Sequence, residues 1–298
     1  MTLAEYLKAQ QTRVDAEIDR LVPPETVEPR TIHRAMRYSL MAGGKRIRPV
    51  LCLEAAQTVG NTLGDAGDGV LAAACSLEFI HTYSLIHDDL PSLDNDDFRR
   101  GKPTCHKVFG EAMAILAGDS LLTLAFQVLA ELPGVAAQAQ VAMMRELARA
   151  SGTVGGMIGG QVADIEGEGQ APDAELLDRI HRAKTGALLC ASVRIGAIYA
   201  GASEAEIQSL TAYGEHVGLA FQIVDDILDV EESSEALGKT AGKDADQGKI
   251  TFPAVYGLET SRTMAQTECA AAHAAISGFG ARAQRLREIA DMIVYRKS

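Results

Sequence analysis

Ser84-Leu85-Ile86-His87-Asp88-Asp89-Leu90-Pro91-Ser92-Leu93-Asp94-Asn95-Asp96-Asp97-Phe98-Arg99-Arg100 runs an apolar stretch into five aspartates and then two arginines. Carboxylates this close repel one another and raise each other's proton affinity, so a cation belongs among them. Mg²⁺ suits such a place, because it takes oxygen ligands from one or two carboxylates and completes its shell with substrate phosphates. The bland explanation is a solvated acidic loop, as most charge runs are. Pro91 disfavours helix at Leu90 and has no N–H to bond residue 87. The helix should therefore end near Asp89. Asp88 and Asp94 would lie about 240° apart on a straight helix, so the chain must curl to return Asp94 towards Asp88.

A second stretch, Phe221-Gln222-Ile223-Val224-Asp225-Asp226-Ile227-Leu228-Asp229, repeats the pattern of an apolar helical run ending in paired aspartates. Asp225 and Asp229 fall on one face, about 40° apart. Two carboxylates one turn apart on an otherwise apolar helix are costly unless a cation meets them.

Asp88-Asp89-x4-Asp94 with Arg99-Arg100, and Asp225-Asp226-x2-Asp229, resemble the two aspartate-rich motifs of the polyprenyl (isoprenyl) diphosphate synthase family. The resemblance covers nearly the whole chain and is nearest to the bacterial farnesyl diphosphate synthases. It implies an all-α, isoprenoid-synthase-type bundle and a homodimer. It also implies Mg²⁺, three ions with substrate bound, with Asp88, Asp89, Asp94, Asp225 and Asp229 as ligands.

Composition agrees with a helical reading. The chain has 298 residues, of which 47% are hydrophobic, enough for a substantial core. Period-3.6 segments dominate and no series of alternating strand patterns is present. These segments cover 2–21, 30–42, 69–89, 111–131, 135–150, 173–200, 203–231 and 281–295. The expected architecture is a single domain, 1–298, of about ten or more helices around a central cavity. A net charge of −12 argues against nucleic acid as a partner. The scattered Cys52, Cys75, Cys105, Cys190 and Cys269 form no CxxC and read as reduced thiols of a cytoplasmic protein. Residues 1–20 lack an apolar run behind a basic start, so no signal peptide is expected. Asp119 and Arg194 break the two longest apolar candidates, so no membrane span is expected.

Basic residues are concentrated locally. In Gly43-Gly44-Lys45-Arg46-Ile47-Arg48-Pro49, glycines allow close backbone approach and three cations follow within four residues. That suits phosphate oxygens, although a glycine C-cap with cations on a helix dipole would read the same way. The resemblance makes it the isopentenyl diphosphate site, carried by Gly44, Lys45 and Arg48. His81 lies seven residues before Asp88 and shares its face. A lone histidine there is ordinarily core, but the resemblance implies a diphosphate ligand. It also places Arg99 on the allylic diphosphate and Arg100 on the isopentenyl diphosphate.

Lys184 interrupts an apolar helix, and such a lysine snorkels or meets an anion. The resemblance assigns Lys184 and Thr185 to the allylic substrate. Gln222, Lys239 and Lys249 complete the candidate set. The two lysines sit in a Gly-Lys-rich loop that suits a lid over phosphates or an ordinary surface loop. The glycine-rich stretch 152–169 has no Gly-Lys-Ser/Thr and is not a P-loop; it suits tight helix packing, with Gln161 and Asp164 near a cavity.

The implied reaction is condensation of isopentenyl diphosphate with dimethylallyl or geranyl diphosphate. The allylic diphosphate ionises with metal assistance, the alkene attacks and a proton is lost. Asp88, Asp94 and Asp225 serve as metal-bearing catalytic groups, and Thr185 and Gln222 oxygens face the cation. Tyr83 and Ser84 lie one turn before Asp88, where a wall would limit the chain. Ser84 is about 40° from Asp88 on the wheel and Tyr83 about 140°, so geometry alone chooses Ser84. In the family an aromatic at the Tyr83 position, with the insertion seen as Pro91-Ser92, goes with farnesyl diphosphate. The alternatives are geranyl or geranylgeranyl diphosphate as product, and more remotely a terpene cyclase or a non-catalytic partner subunit.

Overall fold

The computed structural model describes residues 1–60, 67–171, 173–234 and 250–296. Their regular structure is helical apart from one two-stranded ribbon, and they gather into two compact units.

The first unit holds residues 1–53 and 67–144. Its helices are α1 (Leu3–Leu21), α2 (Arg30–Leu40), the start of α3 (Ile47–Gly60), α4 (Gly67–Asp88), α5 (Cys105–Phe109), α6 (Glu111–Ala130) and the start of α7 (Ala137–Ser151). Thr2 and Glu5 close α1 with a reciprocal capping box, which satisfies two otherwise orphaned N–H groups. Helix α4 is apolar all round, and Leu77, Phe79 and Ile80 are fully buried. It packs on α1 and most closely on α6. Gly118 on α6 makes that approach possible, since a Cβ there would lie 2.2 Å from His87 Nε2.

The second unit holds 54–60 and 145–296. It contains α8 (Met157–Gly167), α9 (Ala174–His181), α10 (Ala187–Tyr199), α11 (Glu204–Ser234), α12 (Phe252–Tyr256), α13 (Leu258–Ala275) and α14 (Gln284–Tyr295). Helix α11 is the spine, packed on α10 and α13. Its apolar face joins Leu177, Ile250, Phe252 and Ala265 in one core cluster through Leu219, Ile223, Val224 and Ile227. The fully buried Tyr213 donates to Leu286 O at 2.6 Å and ties α11 to α14.

Two expectations are corrected. The helix read over 173–200 is two helices joined by a π turn, Arg182–Gly186, a single-turn insertion that periodicity does not register. The last helix starts at Gln284, because Gly280 breaks the helical path with φ +58°. Two helices, Gly69–Asp88 and Glu111–Ala130, are long and apolar enough for a span. The first has 78% of its apolar window buried and is a core helix of its unit, whereas α6 has 39% buried.

Candidate active site

In the first unit the chain curls after α4 as the proline requires. Asp94 N donates to Asp88 O at 2.8 Å, and Asp96 N donates to Asp89 O at 3.2 Å. These bonds bring Asp94 back beside Asp88. Both carboxyls are half-buried, whereas Asp89 is buried. Arg99 Nε donates to Asp89 Oδ1 at 2.7 Å, and Arg99 Nη2 lies 2.6 Å from the same oxygen. Burial pushes the Asp89 carboxyl above its ordinary range in spite of this arginine. The carboxylate expected among the metal ligands is therefore occupied by Arg99, the cation expected on the allylic diphosphate.

Arg99 and Arg100 are presented by a hairpin. Phe98 pairs with Pro103 and Arg99 with Lys102, leaving Arg100-Gly101 as a two-residue loop. Both have positive φ, +53° and +74°, the turn whose twist matches paired strands. The loop carries Arg100 to Gly43, where its guanidinium donates to the carbonyl. Gly44 beside it has φ +142°, a backbone that favours glycine, and the Arg100 guanidinium lies close against it, 2.7 Å from where a Cβ would stand.

The three cations of the 43–49 turn separate. Arg46 is buried with φ +51°. It bonds Asp15 at 2.8 Å, Glu78 at 2.7 Å and Leu40 O at 2.6 Å. It pins α1, α2 and α4 together. Lys45 is exposed and Arg48 half-buried. His81 has its pKa held well below the ordinary range, first by burial and then by Arg48, Arg100, Arg99 and Arg46. Burial among these cations disfavours its charged form.

The second unit holds the other acidic cluster. Asp225 and Asp229 share a half-buried face of α11, and Asp226 is turned inward. Asp226 accepts from Phe252 N at 2.9 Å and Gln222 Nε2 at 3.2 Å, with His181 Nε2 3.3 Å away. Gln222, expected to face a carbocation, spends its amide on Asp226. Asp225 is paired with Arg296, whose guanidinium also lies over the Phe221 ring at 4.4 Å. Sequence reading missed this partner; a basic residue near the chain's end was the only sign of it.

Lys184 Nζ meets Asp164 Oδ2 at 2.6 Å, so Asp164 of the glycine-rich stretch does join the candidate set. The same stretch explains the position of the lysine. A Cβ at Gly160 would lie 2.2 Å from Lys184 N and 2.6 Å from its Cα, and one at Gly218 would lie 2.8 Å from Gly186 Cα. The π turn is thus held between α8 and α11 by glycines on either side. Thr185 is half-buried in that turn. Tyr83 is 5% exposed, its hydroxyl has no hydrogen-bond partner among the described residues, and its ring meets His87 edge-on at 5.7 Å. Burial, then Asp88, push its phenol up to about 12. Ser84 turns its hydroxyl back to His81 O at 2.9 Å. Lys239 and Lys249 lie outside the described residues.

Each unit thus carries a half-buried aspartate set with cations beside it on a helical scaffold. The polyprenyl synthetase family model matches residues 29–288, and the chain belongs to that family; it is a prenyltransferase. It is 51% identical over 294 residues to a Capsicum annuum protein named geranylgeranyl pyrophosphate synthase, chloroplastic, covering 98% of this chain and 78% of that one. An Arabidopsis thaliana heterodimeric geranylgeranyl pyrophosphate synthase large subunit is 48% identical over 300 residues, 98% of this chain and 79% of that one. Among solved structures, an FPP/GFPP synthase from Zymomonas mobilis matches with TM-score 0.86 and 37% identity over 98% of each chain. A geranyltransferase from Legionella pneumophila matches with TM-score 0.86 and 33% identity over 99% of this chain and 98% of that one.

Proposed function

We propose that this chain condenses isopentenyl diphosphate with an allylic diphosphate and releases geranylgeranyl diphosphate. The observation that carries the twenty-carbon product is the half-identity to proteins named for it, over almost the whole chain. A fifteen-carbon product is the second reading. The buried Tyr83 one turn before Asp88 favours it, as does the FPP/GFPP name of a structural neighbour.

The donor set fits Mg²⁺: Asp88 and Asp94 brought together by the curl, and Asp225 and Asp229 one turn apart, offer hard oxygens. Bound there with substrate, Mg²⁺ would draw charge from the allylic diphosphate and make it a better leaving group. Lys184 supplies a further point charge, and Asp164 keeps its ammonium in place until a phosphate competes for it. Lys45, Arg48 and Arg100 hold isopentenyl diphosphate, with neutral His81 donating a hydrogen bond. The described set shows no side chain placed as a base, and the departing diphosphate is the proton acceptor in this reading. We extend it to a cytoplasmic homodimer. The exposed Ile115 and Leu116 of α6 support the dimer, which sedimentation would test.

Chromatography of the products from isopentenyl plus dimethylallyl diphosphate decides the chain length. A twenty-carbon product from the wild type supports the first reading. A fifteen-carbon product that lengthens in Tyr83→Ala supports the second. If Tyr83→Ala leaves a fifteen-carbon product unchanged, Tyr83 is not the stop.

A further inference from the structure

Outside the acidic motifs, the second unit brings together a thiol, an imidazole and a carboxylate. Cys269 and His273 stand one turn apart on α13, and Asp291 comes from α14. Cys269 Sγ is 3.9 Å from His273 Nε2 and 3.5 Å from Asp291 Oδ1, and His273 Nε2 is 3.0 Å from the same oxygen. Zinc ligates sulfur at about 2.3 Å and nitrogen or carboxylate oxygen at about 2.0–2.2 Å in a tetrahedron. Those bond lengths require ligand atoms about 3.6 Å apart for S···N and S···O and about 3.4 Å for N···O. Each observed spacing falls within about 0.4 Å of its requirement.

We infer that Cys269, His273 and Asp291 form a site for a thiophilic divalent cation such as Zn²⁺, separate from the aspartate motifs. Three protein ligands leave one tetrahedral position for water. Access is open, because the side chains of His273 and Asp291 are 33% and 48% exposed, while Cys269 is buried at the base. Without the ion the trio is a hydrogen-bonded set, with the thiol donating to Asp291. Binding forms a metal–sulfur bond, breaks the S–H bond and releases that proton to solvent. The mixed S, N, O donor set selects against Mg²⁺, which takes oxygen alone. An ion here joins α13 to α14, the helix that ends beside Arg296 and hence beside the partner of Asp225.

The test is Co²⁺ titration of the chelator-stripped full chain in excess Mg²⁺, which occupies the carboxylate motifs. One equivalent should bring up a sulfur-to-cobalt charge-transfer band, and Zn²⁺ should bleach it. Cys269→Ser should abolish the band, and His273→Ala or Asp291→Asn should weaken binding at least about tenfold. Cys190→Ser should keep it. Zn²⁺ should also raise the melting temperature of the wild type and not that of Cys269→Ser. A wild type without the band, or a band that survives in Cys269→Ser, overturns the site and leaves a hydrogen-bonded trio. If Cys269→Ser proves unfolded by circular dichroism, loss of the band in a folded His273→Ala decides for the site, and its retention there at full affinity decides against it.

Discussion

The two acidic clusters solve one problem with different backbones. In the first unit Pro91 ends a helix, and the curl that follows carries Asp94 to Asp88. In the second unit a continuous helix does the work, since Asp225 and Asp229 are one turn apart on a half-buried face. Yet the adjacent pairs share a division of labour. Asp88 and Asp225 stay at the rim, while Asp89 and Asp226 are buried and tied to protein donors, Arg99 in one case and Phe252 N with Gln222 in the other. A paired aspartate in this protein is thus one half-buried rim carboxylate, the proposed ligand, and one buried anchor, although the sequence writes the same letter twice.

The largest test of that division removes the rim carboxylates. Asp88→Ala or Asp225→Ala should lower turnover at least about 100-fold at saturating Mg²⁺, because a hard metal ligand is lost. Urea unfolding of both variants should match the wild type. A variant keeping a tenth of the activity breaks the comparison.

Next come the anchors. Asp89→Asn and Asp226→Asn should each lower unfolding free energy by about 1–3 kcal/mol, since buried donors are left poorly paired. Denaturant titration measures this, and equal stability in either variant would show that the buried aspartate is no anchor.

A smaller effect should follow from crowding the π turn of the second unit. Gly160→Ala presses on the Lys184 backbone and should raise KM for the allylic substrate several-fold, leaving that for isopentenyl diphosphate alone. In a Lys184→Ala background the effect should vanish, whereas Gly278→Ala, with nothing within 4 Å of its Cβ, should be silent. Persistence of the effect without Lys184 would assign Gly160 a general packing role.

The smallest concerns Arg296, which pairs with the rim carboxylate Asp225. A partly exposed ion pair contributes about 0.2–1 kcal/mol, so Arg296→Ala should reduce the Mg²⁺ needed for half-maximal activity up to a few-fold. A higher Mg²⁺ requirement would mean that Arg296 aids the metal site instead of competing with it.

Much of this molecule was legible before any coordinates. Periodicity located the long helices because burial of one face leaves a mark every third or fourth residue. Pro91 placed the end of α4, because a ring without an N–H acts locally. The same-face pairing of Asp225 and Asp229 is a property of helix pitch and needed no tertiary information. Local rules could not reach contacts whose partners are far apart in the chain. Only the tertiary structure separated Arg46, buried on Asp15 and Glu78, from its neighbours Lys45 and Arg48. It alone gave Asp89 to Arg99, Asp225 to Arg296 and Lys184 to Asp164, and it alone split one expected helix at the π turn. Sequence determines which groups carry charge and which face of an element they share. Which charges are buried together depends on packing between elements, and that packing decides which of two adjacent aspartates is the buried anchor and which stays at the rim.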